Sequence, residues 1–248
     1  MKVTVITVAL NARDDLVRTR ASLLAQHHVD VQHVIVDGGS TDGTSTLLAE
    51  WQADGRTVCF SESDSGVYQA FNKGLRLAEG DCIGFLNAGD VYQDENVLSD
   101  VVAAFCDADI DLIYGDVDIT RRDSIDQTIR RYKSTTFSGN NLLRGLMPPH
   151  PSIYARRRVY DDVGEFSEVF RIAGDFEWAL RAWLIKHVSA RHLDRVFVRM
   201  PTGGISNNGF RSIVESTVEM HRALEMHDLP ASWLKLLSRL PLKWLSGR

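Results

Sequence analysis

Four times in the first ninety residues an apolar, β-branched run ends in small or polar residues, and this repeat constrains the fold more than any other feature of the chain. Residues 3–9 run into Leu10-Asn11, and residues 31–36 run into Asp37-Gly38-Gly39-Ser40-Thr41-Asp42-Gly43. Residues 58–61 lead to Glu62-Ser63-Asp64-Ser65-Gly66, and residues 82–86 lead to Asn87-Ala88-Gly89-Asp90. Helical patterns fill the gaps: 12–28 with Leu16, Leu23 and Leu24; a helix capped by Asp42 or Thr44 with Leu47, Leu48 and Trp51; and 68–78 with Phe71, Leu75 and Ala78 one helical face apart. Continuous apolar strands alternating with helices imply a mostly parallel sheet covered on both faces. Such sheets bind ligands at the carboxyl ends of their strands. All four polar clusters are therefore expected on one rim.

The second half is less regular. Strands are expected at 112–114, 127–132 and 196–200, a polar Pro-rich loop at 134–151, an amphipathic helix at 176–187, and helix from about 213 onward. The reading is α/β, with one catalytic domain over 1–210, split into a ligand-binding half (1–90) and an acceptor half (91–210), and a helical extension over 211–248. At 248 residues and 44% hydrophobic, the chain is long enough to bury a core of that size. Its net charge of −5 argues against nucleic acid as a partner, so a phosphate-bearing ligand would need a local site. Cys59, Cys82 and Cys106 have neither zinc-site nor disulfide spacing, which points to a reducing cytoplasm. The first seven residues read as a strand, not as a signal peptide, and no run approaches the roughly 20 apolar residues of a membrane span.

The loop 37–43 combines small residues, which let a ligand come close, with an Asp able to accept hydrogen bonds from a base or ribose. A turn with a helix cap at Ser40 or Asp42 explains the same residues. Neither G-x-G-x-x-G nor a P-loop is present. Asp90, at a strand end, suits Mg²⁺ or Mn²⁺ held against a diphosphate, since such ions often take one or two protein carboxylates plus phosphate oxygens. A plain turn or helix-capping Asp is the alternative.

Together these segments resemble the family 2 glycosyltransferases of the GT-A, nucleotide-diphospho-sugar fold. The resemblance rests on Val34-Ile35-Val36-Asp37-Gly38-Gly39-Ser40-Thr41-Asp42-Gly43-Thr44, on Ser63-Asp64-Ser65-Gly66-Val67-Tyr68-Gln69-Ala70-Phe71-Asn72-Lys73-Gly74 and on Gly84-Phe85-Leu86-Asn87-Ala88-Gly89-Asp90. It thins through Pro149-His150-Pro151-Ser152 and Ile172-Ala173-Gly174-Asp175-Phe176-Glu177-Trp178 to Gly203-Gly204-Ile205-Ser206. The pattern is most similar to the branch that builds colanic acid and other bacterial exopolysaccharides. It implies a mixed, mostly parallel sheet flanked by helices, and inverting sugar transfer from a UDP- or GDP-sugar to a hydroxyl, with Mn²⁺ or Mg²⁺. By the resemblance Asn11 and Asp37 meet the nucleoside, Asp64 and Lys73 the ribose and phosphates, and Asp90 is the last acid of the metal-binding D-x-D region. Asn87 and Gly89 stand where many relatives carry Asp, so metal affinity is expected to be weaker and Asn87 to bind the donor. Asp175 matches the catalytic base, with Gly174 where relatives often have a second acid. His150 falls beside the acceptor pocket. Trp178 and Trp183 are expected in the core.

A nucleotidyltransferase would need a Gly-rich, basic loop after the first strand, and Ala9-Leu10-Asn11-Ala12-Arg13 lacks it. A non-catalytic sugar-nucleotide or polysaccharide-binding descendant would not need both Asp90 and Asp175. At the C-terminus Trp233, Leu236, Leu237, Leu240 and Trp244 share one helical face, opposite Lys235, Arg239 and Lys243, with Pro241 as a break. That pattern fits an interfacial helix on an anionic bilayer. The expectation is an enzyme peripheral on the inner face of the plasma membrane, acting on a lipid-linked saccharide; a stretch that packs on the catalytic domain or forms a dimer contact is the alternative.

Overall fold

The computed structural model describes residues 1–27, 29–53, 57–135, 137–203 and 210–239. Its elements run β1 (Lys2–Ala9), α1 (Arg13–Leu24), β2 (Asp30–Asp37), α2 (Thr44–Gln52), β3 (Thr57–Ser61), α3 (Val67–Leu77), β4 (Cys82–Phe85), β5 (Val91–Tyr92), α4 (Val97–Ala104), β6 (Leu112–Arg121) and β7 (Ser124–Tyr132). They continue through α5 (Gly139–Leu142), a 3₁₀ turn (His150–Ser152), β8 (Ile153–Arg156), α6 (Arg157–Val163), α7 (Gly174–Leu180), β9 (Ala190–Pro201), α8 (Phe210–Met226) and α9 (Trp233–Leu237). The sheet order is β3-β2-β1-β4-β8-β6-β9-β5, with β7 paired to the flank of β6.

The alternating first half forms the parallel unit its sequence demands: β1 pairs in parallel with β2 and β4, and β2 with β3. Val3, Val5, Ile6 and Val34 to Val36 are fully buried, because helices cover both faces. β8 then enters antiparallel between β4 and β6, and β9 lies parallel to β6, which makes the sheet mixed. On one face Phe71, Phe85, Tyr114, Phe166, Phe176 and Trp178 join a core that α8 and α9 also enter, through Ala223, Leu224 and Leu236. On the other face Leu98, Val101 and Phe105 of the α4 segment cover Val5, Ile113 and Phe197.

Three expectations change. The loop over 134–151 contains α5 and the 3₁₀ turn, and the helix over 176–187 begins at Gly174 and passes into a wider π-helical turn at Arg181–Ile185. The C-terminal amphipathic face is also redrawn. Leu236 is fully buried in the core, and Arg239 is only 2% exposed, donating to Ser216 Oγ at 3.2 Å and Thr217 Oγ1 at 2.8 Å. Leu236 and Arg239 therefore face inward, because α9 docks along α8 and that docking decides which side is covered. Trp233, Leu234, Lys235 and Leu237 are the exposed residues of α9. Leu240, Pro241, Lys243 and Trp244 lie outside the described residues, as do Gly204, Ile205 and Ser206. No helix among the described residues is long and apolar enough to cross a membrane.

Candidate active site

The carboxyl ends of β1 and β2 are stitched into one rim. Asn11 adopts a φ of +49°, a conformation Asn tolerates better than most residues. Its N–H donates to Ser40 Oγ (2.7 Å), and its Oδ1 accepts from the Thr41 N–H (2.8 Å). Asp37 is fully buried at the end of β2 and accepts from the Ser40 N–H (3.1 Å), the Ser40 hydroxyl and Ser61 Oγ (2.7 Å). Both residues thus shape the 38–43 loop. Asp64 lies against that loop: a Cβ on Gly38 would sit 2.8 Å from its Oδ2, so the absence of a side chain at 38 is what lets the carboxylate in. Lys73 on α3 donates to Ser63 O (3.1 Å) and pairs with Glu62 (3.1 Å), so its ammonium braces the loop after β3. Asn11, Asp37 and Asp64 come together as expected, and Lys73 reaches them through that loop.

Beyond β4, Leu86 and Ala88 donate their N–H groups to Ile6 O and Val8 O, which extends the β1 pairing up to the Asn87–Asp90 turn. Thr19, buried on α1, locks the turn: its Oγ1 accepts from the Gly89 N–H (2.9 Å) and donates to Asp90 O (2.8 Å). Gly89 has a φ of +101°, where an Asp would be strained, so this turn suits glycine at 89. Burial pushes the Asp90 carboxyl up to about 8; the N–H of Asn87 pulls it down, and the charge of Asp15 adds to the rise. Asn87 Oδ1 is buried with no hydrogen-bond partner. A buried carboxyl whose charge has, among the described residues, no cationic partner to offset its burial and an unsatisfied buried amide oxygen, three residues apart on one turn, are groups that a hard divalent cation would satisfy, displacing the proton from Asp90. Among the described residues there is no group of three or more His, Cys, Asp or Glu that could hold a metal.

Asp175 opens α7, and it is the one residue of that helix that is not buried. Its Oδ1 accepts from the Phe176 N–H (2.8 Å) and lies 3.2 Å from Tyr68 Oη, which also donates to Ile172 O at 2.5 Å. Tyr68 explains Gly174: a Cβ there would meet the Tyr68 ring at 2.7 Å, so the tyrosine fills the space a second acid would need. Burial raises the Tyr68 hydroxyl well above its ordinary value, and the Asp175 charge adds to the rise, so the phenol stays a donor. Trp178 is core, stacked on Tyr160 at 5.0 Å with its indole N–H on Gly164 O. Trp183 is half-buried, edge-on to Phe137 and Tyr114. His150 sits among Phe71, Phe85 and Phe166 at ring distances of 5.1, 4.8 and 5.6 Å. The residue is half-buried, and the loss of hydration lowers its pKa to about 4. Its ring is thus part of that aromatic cluster. Tyr68, Thr19 and Asp15 were not singled out by sequence. Tyr68 lay inside the quoted 63–74 stretch, but its role depends on a residue more than a hundred positions away.

A half-parallel sheet with its polar loops on one rim, a strand-end turn holding Asp90 and a helix with a half-buried Asp in its first turn define the GT-A class of transferase fold. The sequence model of Glycosyl transferase family 2 matches residues 4–164, and the chain belongs to that family. It is 28% identical to a PGL/p-HBAD biosynthesis glycosyltransferase of Mycobacterium bovis over 207 residues, covering 82% of this chain and 78% of the relative. It is 31% identical to an uncharacterized glycosyltransferase of Mycobacterium tuberculosis over 186 residues, 74% of this chain and 69% of the relative. Among solved structures, S. aureus TarS 1-349 in complex with UDP-GlcNAc superposes with a TM-score of 0.70 at 18% identity, covering 90% of this chain and 66% of that one. The mannosyltransferase PcManGT from Pyrobaculum calidifontis, in complex with GDP-Man and Mn²⁺, gives 0.65 at 18% identity, covering 93% and 65%.

Proposed function

We propose that this family 2 glycosyltransferase moves a hexosyl group from a UDP- or GDP-sugar to an acceptor hydroxyl with inversion, and that Asp175 is the base. The observation that carries this reading is Asp175 itself, the one residue left accessible on a helix otherwise sealed in the core. It takes the acceptor proton as that oxygen bonds to the anomeric carbon, while the bond to the diphosphate breaks on the opposite face. Tyr68 and the Phe176 N–H hold the carboxylate on one oxygen, which fixes its aim. Asn11, Asp37, Asp64 and Lys73 build and brace the rim for nucleoside, ribose and phosphates. Asp90 and Asn87 are the residues that would hold Mn²⁺ or Mg²⁺, whose charge offsets that of the departing diphosphate.

The acceptor we infer is a lipid-linked saccharide in bacterial exopolysaccharide synthesis, met at the inner face of the plasma membrane. Support comes from the exposed Trp233, Leu234 and Leu237 beside Lys235, a surface of the kind that lies on anionic lipid. The test of the reaction is Asp175→Asn. Donor binding should be unchanged and turnover should fall by roughly 10²–10⁴-fold. Near-normal transfer by this variant overturns the assignment.

A further inference from the structure

The loop that delivers Asp175 is gripped from outside the family-matched segment. Residues 171–173 precede α7, and their three consecutive N–H groups all end on one carboxylate, that of Glu219 on α8. Arg171 N donates to Oε1, and Ile172 N and Ala173 N donate to Oε2, each at 2.8 Å. N–H groups just ahead of a helix have no partner within it, and bonds to a charged acceptor are the stronger kind. From the other side Tyr68 Oη takes Ile172 O and reaches Asp175. The segment is thus clamped between α3 and α8. A second contact ties α7 itself to the end of α8: His227, just past α8, bonds through Nε2 to Glu177 Oε1 on α7 at 2.7 Å. Glu177 is buried and is paired with Arg181 through both oxygens. The helix that carries the base is therefore attached to α8 on either side of Asp175.

We propose that Glu219 is a positioning residue for the transfer reaction, setting the direction of Asp175 through the 171–173 backbone. This rests on Asp175 being the base. A carboxylate that held the fold in general would affect donor binding and stability. One that aims the base changes turnover, because a displacement of about 1 Å of a reacting group costs up to about 10²-fold.

The experiment compares Glu219→Ala, Glu219→Gln, Asp175→Asn and the double variant E219A/D175N, measuring kcat, donor Kd by calorimetry and Tm. Glu219→Ala should lower kcat roughly ten- to hundredfold with donor Kd within about twofold of wild type. Glu219→Gln keeps one acceptor oxygen but turns an NH₂ toward the third N–H, so its kcat should fall between the two. In the Asp175→Asn background the alanine change should cost less than about twofold further, since its effect passes through the base. Wild-type kcat in Glu219→Ala overturns the proposal. So does an equal loss on both backgrounds, which would mean Glu219 acts independently of Asp175. If Glu219→Ala does not fold, Glu219→Gln carries the same comparison. Should Asp175→Asn alone keep full activity, the base assignment has failed, a result distinct from a silent Glu219.

Discussion

Asp90 ties the stability of the metal-free protein to pH in a way that one substitution isolates. Its folded pKa is raised to about 8 by burial, while in an unfolded chain an Asp titrates near ~3.9. Between those values the folded state holds a proton that the unfolded state has lost, so stability falls as pH rises across that window, by about 1.4 kcal/mol per unit. Asp90→Asn keeps the shape and removes the titration. From pH 5 to pH 7 the wild type should therefore lose about 3 kcal/mol relative to the variant. The buried histidines push the other way. His33 and His150 are lowered to about 3 and about 4 by burial, so below about pH 6.5 the unfolded chain takes up protons the folded one refuses, and stability is lost as pH falls. That contribution is common to both proteins and cancels in the difference. Urea melts of wild type and Asp90→Asn at pH 5, 6 and 7, in chelator, measure the gap. With Mn²⁺ and a UDP- or GDP-sugar added, wild-type affinity for the ion should rise about tenfold per pH unit up to about 8, because cation and proton compete for one carboxylate. A stability gap that stays constant from pH 5 to 7 would refute the argument, since it would mean that Asp90 carries the same charge folded and unfolded.

Two further outcomes are expected. Gly174→Ala places a Cβ 2.7 Å from the Tyr68 ring, so the ring must move off its bonds to Ile172 and Asp175; overpacking of this kind costs about 1–3 kcal/mol, and kcat should fall while donor Kd holds, as read by urea melts and steady-state kinetics. Leu234→Ser with Leu237→Ser should abolish salt-sensitive flotation with anionic liposomes without lowering Tm, because both side chains are exposed; unchanged flotation removes that surface from the membrane reading.

The first ninety residues were legible because β1, β2 and β4 are buried along nearly their whole length and the loops after them carry residues with narrow uses, so period and punctuation agreed. The stretch after residue 90 was not. β8 is four residues beside a Pro-rich stretch, and α6 starts in the run Arg156-Arg157-Arg158, where charge hides the apolar side made by Val159, Tyr160 and Val163. β5 and α4 passed unnoticed because β5 has two residues and α4 begins without a side-chain cap. Helical spacing grouped Leu236 with Trp233 and Leu237, but a helix of five residues has no face of its own until it docks. Of the site, Asp175 and Asp90 were readable only from their neighbours in sequence. The phenol, hydroxyl and carboxylate that hold them come from α3, α1 and α8, at separations no local pattern encodes.

Glu219 bears on how far parts can be exchanged among relatives. The family-matched region stops at 164, short of both Asp175 and α8, which makes the C-terminal third look like interchangeable trim. A chimera that grafts another member's terminal helices after β9 would keep every donor-side residue and still bind sugar nucleotide. Unless the graft presents a hydrogen-bond acceptor to the 171–173 backbone, its turnover should fall by the same roughly ten- to hundredfold expected of Glu219→Ala. The aim of Asp175 would then depend on α7 and α8 together, so working exchanges would have to change those two helices in step and not swap the tail alone.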